Sequence, residues 1–548
     1  MRIAIEGCGH GTLHAIYGSI KKTCEINKWT GIDLLIIGGD FQALRNSHDL
    51  NCMSVPQKYR AIGDFHEYYS GARVAPYLTL FVGGNHEASS HLQELYYGGW
   101  VAHNIYYLGA ASVVRFGDLR IAGLSGIWKG YNYNKPHFER LPYSADEIKS
   151  LYHVREIDVR KLLLLRTQVD IGISHDWPRG VEWQGDWNAL FRKKDLFEAD
   201  ARAGTLGSAA ARYVMDRLRP PHWFAAHLHC KFAAVVYYGK EAGGPELAMK
   251  SDTRAGIDGT KNTNEINIKI EDEGSPVETS APTKNTDEID LDMDSDDAAN
   301  QPQVSADPAA PPDSSTIPTD LRSQLPASFA RPKTPPPSEK APPPPPPPAI
   351  TNLTTNFLAL DKCLPNRKFL QLLSIDPLAP SNPPATRTLT YDKEWLAILR
   401  VFGSQDPRLP SPRDLGEGVY SPLIAQEEEW VEEHLVRRGK MAVPENFEIT
   451  APVYDGKAIG SVGREQPREY TNPQTKAFCE MLGIPNHFDA SEEEREELRV
   501  RKGLQVQSEN ASGGGGGRGR GGGRGGHRCR GGGGRGGGRG QGRGRGFR

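Results

Sequence analysis

Cysteine is scarce and irregularly placed: Cys8, Cys24, Cys52, Cys230, Cys363, Cys479 and Cys529 make an odd total of seven with no repeating interval. That excludes a disulfide framework and points to a reducing compartment. Long apolar runs are also missing. The N-terminus offers only Ile3 to Ile5, too short for the apolar core of a secretory leader, and no later stretch approaches the roughly 20 residues needed to span a bilayer. The expectation is a soluble, intracellular protein with no membrane contact. Acid is absent from one region altogether. Ser512 to Arg548 carry ten arginines and no Asp or Glu, so the overall charge of -2 conceals 56 basic against 68 acidic side chains upstream. Basic charge gathered in a tail reads as an arm for nucleic acid.

At 548 residues the chain exceeds one compact core, but many of its 60 glycines and 41 prolines fall in two stretches that cannot bury apolar surface. Four regions follow. Residues 1–240 hold short β-branched runs that each end in a Gly- or His-rich turn: RIAIEGCGH, DLLIIGGD, LTLFVGGNHE, RIAGLSG, VDIGISHD and HWFAAHLH. Helical stretches lie between several of them, as at Thr12 to Asn27 and Ala209 to Arg219, which predicts an α/β layered fold. Residues 241–350 turn acidic and then Pro-rich, ending in Pro342 to Pro348, and read as a disordered linker. Apolar patterning resumes over 351–490 in a smaller, mixed accessory domain, and 491–548 reads as a disordered Gly/Arg-rich tail.

Thirteen of the sixteen histidines precede residue 240, and the informative ones stand at predicted strand ends. In an open α/β sheet the carboxyl ends of strands are where sites assemble, because loops converge there. In order they are Cys8-x-His10, Asp40, Asn85-His86-Glu87, His175-Asp176 and His227-x-His229. Thiolate, imidazole, carboxylate and amide oxygen each donate an electron pair to a metal. So many donors are too many for one tetrahedral ion but suit two ions sharing a bridge, and Asp40, a carboxylate on a central strand, is the natural bridge. A two-metal clamp suits attack on phosphorus.

The order GCGH, GGDF, GGNHE, SHDW and HLH resembles the calcineurin-like metallophosphoesterase superfamily, with Cys8 standing where that pattern has aspartate. This departure marks the lariat debranching family. DFQALRNSHDLNCMSVPQKYR, GGNHEASSHLQELYYGGWVAHNIYYLG, YHVR and SHDWPRG resemble that family closely, and LALDKCLPNRKFLQLL resembles its C-terminal domain. The resemblance implies a metallophosphoesterase fold with an accessory domain, and hydrolysis of the 2'-5' phosphodiester at the branch point of excised introns. It implies branched RNA as partner and the nucleus as location. One metal site would comprise Cys8, His10, Asp40 and His229, and the other Asp40, Asn85, His175 and His227, with His86 as general acid at the departing 2'-oxygen. Two divalent ions, Fe2+, Zn2+ or Mn2+, are implied, and a thiolate at Cys8 tilts the first site towards Zn or Fe.

Between residues 125 and 155, Trp128, Tyr131, Tyr133, Phe138 and Tyr143 are interleaved with Lys129, Lys135 and Arg140. Aromatics that stack bases beside cations that hold phosphates are what an RNA-reading loop needs, against the plainer reading of a covering loop. The family's lariat-recognition loop lies in the same place. Asp176 reads equally as a partner supporting a ligand or as a helix cap. Gly38-Gly39 and Gly83-Gly84 read as turn glycines that let backbones approach. His14, His48, His66, His91 and His103 read as packed or solvated side chains. The arginine tail reads as a sequence-tolerant RNA contact, and the proline run as a spacer.

Overall fold

The computed structural model describes residues 1–239, 346–457 and 463–512. Most of the expected linker and of the Gly/Arg-rich tail lies outside these residues. The described chain forms one unit over Met1–Asp489 and a second that begins at Ala490.

The first unit is built on two mixed sheets. One runs β12 (Leu370–Ser374), β1 (Arg2–Glu6), β2 (Leu34–Ile37), β3 (Thr79–Phe81), β5 (Ile105–Tyr107), β4 (Gly99–Ala102). Its centre, β1-β2-β3-β5, is parallel, and antiparallel strands close both edges. The other runs β10 (Phe232–Tyr237), β11 (Thr354–Ala359), β9 (His222–Ala225), β8 (Ile171–Ser174), β7 (Leu119–Leu124), β6 (Ala111–Phe116), β13 (Leu389–Tyr391). The α/β layered architecture expected from the strand-turn alternation is therefore present. The six runs picked out in the sequence are β1, β2, β3, β7, β8 and β9, and all but β7 end at the loops that carry the metal-ligand candidates.

Alternation along each strand explains the layering. On β1, Ile3 and Ile5 join a core with Ile121, Ile171, Ile173 and Phe224 of the second sheet, so the sheets pack face to face. Ala4 points the other way, with Leu35, Ile37 and Phe81, onto helix Leu13–Ile26 through Leu13, Ile16 and Ile20. Strands buried on both faces read as unbroken apolar runs, as LLII does.

The C-terminal region supplies strands to both sheets. β11 inserts between β10 and β9, β12 flanks β1 antiparallel, and β13 flanks β6. Beside β13, the buried Arg120 guanidinium donates to Asp392 at 2.7 and 2.9 Å and to Glu394 at 3.0 Å. Removing one partner of such a buried pair costs about 3–5 kcal/mol, so this seam is sensitive to single substitutions.

In the second unit, Glu492–Ser512 is a helix, so ordered structure extends beyond residue 491, where the expected tail begins. A reciprocal cap explains it: Glu494 N donates to Ser491 Oγ (3.1 Å) and Ser491 N to Glu494 Oε2 (3.0 Å). No helix among the described residues is long and apolar enough to cross a membrane.

Candidate metal centre

The candidate ligands converge from five strand-end loops. β1 leads into Cys8 and His10, β2 into Asp40, β3 into Asn85 and His86, β8 into His175, and β9 into His227 and His229. Sharp turns bring them inward. His10 (φ 43°), Asp40 (φ 47°), His227 (φ 61°) and His229 (φ 48°) all occupy the left-handed region, uncommon for residues with a side chain. Such strain persists only where surrounding structure enforces it, and it concentrates at functional sites. Glycines clear the space: a side chain at Gly39 would run into the His175 ring, and one at Gly84 into the Asp40 carboxylate. The close-approach reading of both glycine pairs holds at these positions.

Cys8, His10, Asp40 and His229 each place one ligand atom within 4.8 Å of the other three. His10 Nε2 lies 3.3 Å from His229 Nε2 and 3.7 Å from Asp40 Oδ2. On the other side of Asp40, His175 Nε2 lies 3.4 Å from Asp40 Oδ1 and 3.2 Å from Asn85 Oδ1. The His227 ring packs 4.9 Å from that of His175, and its buried Nδ1 has no hydrogen-bond partner among the described residues. Asp40 thus stands between two groups of donors. His86 sits beside them, its Nδ1 3.9 Å from Asp40 Oδ2 and its backbone N–H donating to Asp40 Oδ1 (2.9 Å).

The electrostatics suit a divalent cation. Burial pushes His10 down to about 4, His227 to about 3 and His229 to about 2, so their rings are neutral electron-pair donors at neutral pH. Burial opposes the Asp40 charge, but the imidazoles of His175, His86, His10 and His227 hold its carboxyl well below the usual range. Burial, then Asp40 and Glu6, push the Cys8 thiol up. A thiolate there requires a cation beside it, which a bound metal provides.

Supporting contacts orient the donors. Gly38 O accepts from His175 Nδ1 (2.9 Å), turning Nε2 towards Asp40, and the Gln42 carboxamide meets His10 Nδ1 (3.2 Å). Cys8 Sγ accepts from His227 N (3.2 Å), which ties the first ligand loop to the last. Glu87, quoted in the sequence motif without a role, accepts from Phe41 N (2.8 Å), Gln42 N (2.8 Å) and Gly84 N (3.0 Å) and so locks the β2 loop to the β3 loop. Its place directly after Asn85-His86 is the signal that could have found it. Nothing in the sequence singles out Gln42.

Asp176 is not a helix cap. It is buried and accepts from Trp128 N (3.2 Å), joining the His175 turn to the start of the aromatic loop. That loop, 125–155, is pinned at its base where Ile127 and His153 pair. Tyr131 is 56% exposed, and Lys135 Nζ lies 5.8 Å from its ring centre. Lys129 and Trp128 are half-buried, with Arg179 over the Trp128 ring at 5.7 Å and Tyr133 against it at 4.9 Å. Tyr143 departs from the expectation of a base-contacting side chain. It is buried with Cys52 and Leu141, and its hydroxyl donates to Gln93, so neither ring face is open to a base.

Two family comparisons cover most of the described chain. Residues 1–231 match the calcineurin-like phosphoesterase family, and residues 352–487 match the lariat debranching enzyme, C-terminal domain. The lariat debranching enzyme of Schizosaccharomyces pombe is 39% identical over 492 residues, spanning 88% of this chain and 96% of that protein. That of Arabidopsis thaliana is 36% identical, spanning 90% and 88%, and that of Homo sapiens is 37% identical, spanning 88% and 69%. With both domains matched and relatives this similar over most of their length, the chain belongs to the lariat debranching enzyme family.

Proposed function

We propose that the protein hydrolyses the 2'-5' phosphodiester at the branch point of lariat RNA, releasing linear RNA. The observation that carries this reading is the placing of Asp40 between two groups of donors with His86 alongside. Cys8, His10, Asp40 and His229 would hold one divalent ion, and Asp40, Asn85, His175 and His227 a second. Such ions supply Lewis acidity and offset charge on the phosphoryl oxygens. A thiol in the donor set favours Fe2+ or Zn2+, and Mn2+ is the harder alternative.

The chain's own groups do the rest. As the bond between phosphorus and the 2'-oxygen breaks, His86 delivers a proton to that oxygen, while water supplies the oxygen that joins phosphorus. Asp40, accepting from His86 N, fixes that residue's backbone next to the ligands. Tyr131, Lys129 and Lys135 face the substrate as stacking and phosphate-holding groups. A role on excised introns places the protein in the nucleus, and the arginine tail, outside the described residues, would add a salt-dependent RNA contact.

The test is metal analysis of anaerobically purified protein together with turnover of a synthetic 2'-5' branched RNA, a linear RNA and a phosphopeptide. The expected result is bound Fe or Zn and cleavage of the branched RNA alone. Preferential dephosphorylation of the peptide, or cutting of linear RNA at a comparable rate, would replace the debranching reading with that of a phosphatase or a general nuclease.

A further inference from the structure

We infer that the turn between β11 and β12 is a positioning element of the first metal site: it holds Cys8 against the loop that follows β9, so the C-terminal region completes a site whose ligands all precede it in sequence. This rests on the two-metal reading above and adds to it a positioning residue outside the ligand set, Asp361.

The candidate ligands are anchored in different ways. Past the end of β1, Gly9 N donates to Gly39 O (3.1 Å) and His10 N to Asp40 O (2.6 Å), which ties both to the β2 loop. Cys8 is the exception. Its N–H donates to Asp361 O (3.4 Å), its carbonyl accepts from Cys363 N (3.2 Å), and it bridges Lys362 in parallel, so its main chain is bracketed by the β11–β12 turn. That turn is itself pinned at both ends to strands that deliver ligands. Gly7 N, just past β1, donates to Phe369 O (3.1 Å), and Leu360 N donates to Ala225 O (3.3 Å) at the end of β9. β1 and β9 lie in different sheets, so the turn crosses between the sheets along the edge where the ligands gather. Cys8 Sγ accepts from His227 N (3.2 Å) and closes the staple.

Asp361 gives the turn its shape. It is buried; its Oδ1 accepts from Lys362 N (2.9 Å), its Oδ2 lies 3.6 Å from Arg367 Nη1, and its N–H donates to Lys368 O (3.1 Å). Leu364 to Arg367 close a β-turn, with Arg367 N donating to Leu364 O (3.2 Å). Pro365 and Asn366, the latter at φ 62°, occupy its central positions, where these residue types are favoured. Gly7 permits the approach, because a side chain there would run into Asp361 O. The carboxylate of Asp361 thus sets the turn, and its carbonyl meets the backbone of the first ligand. Contacts that orient a ligand from outside the metal's own donor set typically govern metal affinity ten- to a hundred-fold.

The test loads the full chain, purified metal-free, with Co2+, whose thiolate complexes absorb in the near ultraviolet and so report on Cys8 independently of turnover. Wild type should take up two ions per chain and show the thiolate band, and Cys8→Ser should abolish the band. Asp361→Ala should weaken the ion that gives the band on the order of ten- to a hundred-fold and leave the other ion's affinity within about twofold. Asp361→Asn, which keeps an oxygen to accept from Lys362 N, should retain most of the wild-type affinity. Gly7→Ala should reproduce the selective loss by displacing Asp361 O. Asp361→Ala leaves Gly7 in place, so it decides the question even where Gly7→Ala fails to fold. A wild-type band and affinity in Asp361→Ala overturns the inference. So does equal weakening of both ions, which would mark general loosening of the fold, or a loss in Asp361→Asn as large as in Asp361→Ala, which would make charge and not turn shape the cause. Wild-type protein that takes up fewer than two ions, or whose band survives Cys8→Ser, would instead overturn the two-metal reading itself.

Discussion

Around Asp40 the chain bends through four left-handed residues, gathers the candidate ligands at the ends of five strands, and fills the remaining space with glycine. Across residues 125–155 it does the reverse: Tyr131 is more than half exposed, and the loop is held from outside by Asp176 and the C-terminal residues Gln466 and Glu469. The first region is determined mostly by short motifs and their own backbone. The second depends on partners up to 329 residues away in sequence. The proposed chemistry is thus encoded mainly locally and the proposed substrate reading at long range, and the two regions should respond differently to substitution.

The largest effect is expected at Asp40, the carboxylate common to both donor groups. Asp40→Asn should lower bound metal and reduce branched-RNA turnover to background, because it removes the charge that offsets two cations and loosens the anchor of His86. Metal content per chain, measured alongside turnover, checks this. A variant that kept its full metal load would show that Asp40 is not shared. Next comes His86→Ala, which deletes a proton donor and no proposed ligand. Turnover should fall on the order of a hundred- to ten-thousand-fold with metal content unchanged. A near wild-type rate would transfer the role of acid to another group.

The loop should respond more weakly, and in binding. Tyr131→Ala removes an exposed ring, and loss of a stacked base typically costs about 1–3 kcal/mol. The expected result is a higher KM for branched RNA with kcat largely kept. Tyr143→Phe should do the opposite, lowering thermal stability by about 0.5–1.5 kcal/mol by removing the hydrogen bond to Gln93 and leaving RNA affinity alone. Equal binding losses in both variants would erase the distinction drawn between the exposed and buried rings.

Why the sequence disclosed one region better than the other follows from the same contrast. Cys8, His10, Asp40, Asn85, His175, His227 and His229 were legible because each sits at the end of an apolar strand run, where the pattern of two-faced burial stops abruptly. Glu87 and Gln42 work through backbone N–H groups and a ring nitrogen across loops, and no spacing reveals such contacts. The strands β11, β12 and β13 had apolar patterning, but insertion between or beside strands more than a hundred residues earlier leaves no local trace. Tyr143 looked like its neighbours because composition records residue type and not which way a ring faces.

The smallest effect, and the sharpest test of long-range support, concerns the C-terminal clamp on the loop. Arg140 donates to both Glu469 oxygens, at 2.7 and 3.2 Å, while Gln466 brackets the Tyr143 backbone, accepting from its N–H (2.6 Å) and donating to its carbonyl (2.8 Å). The ion pair is partly exposed, 24% and 19% at the two side chains. Its direct contribution to stability is therefore about 0–1 kcal/mol, and Glu469→Gln should barely move the melting temperature. Its effect on function should be separable: with one tie to the loop cut, KM for branched RNA should rise a few-fold at constant kcat and constant metal content. Combining Arg140→Gln with Glu469→Gln should add little to either single change, because both cut the same tie. Fully additive losses would mean that Arg140 meets RNA directly. In that case the loop would not depend on the C-terminal region at this point, and the contrast between locally built chemistry and remotely supported reading would have to rest on Gln466 and Asp176 alone.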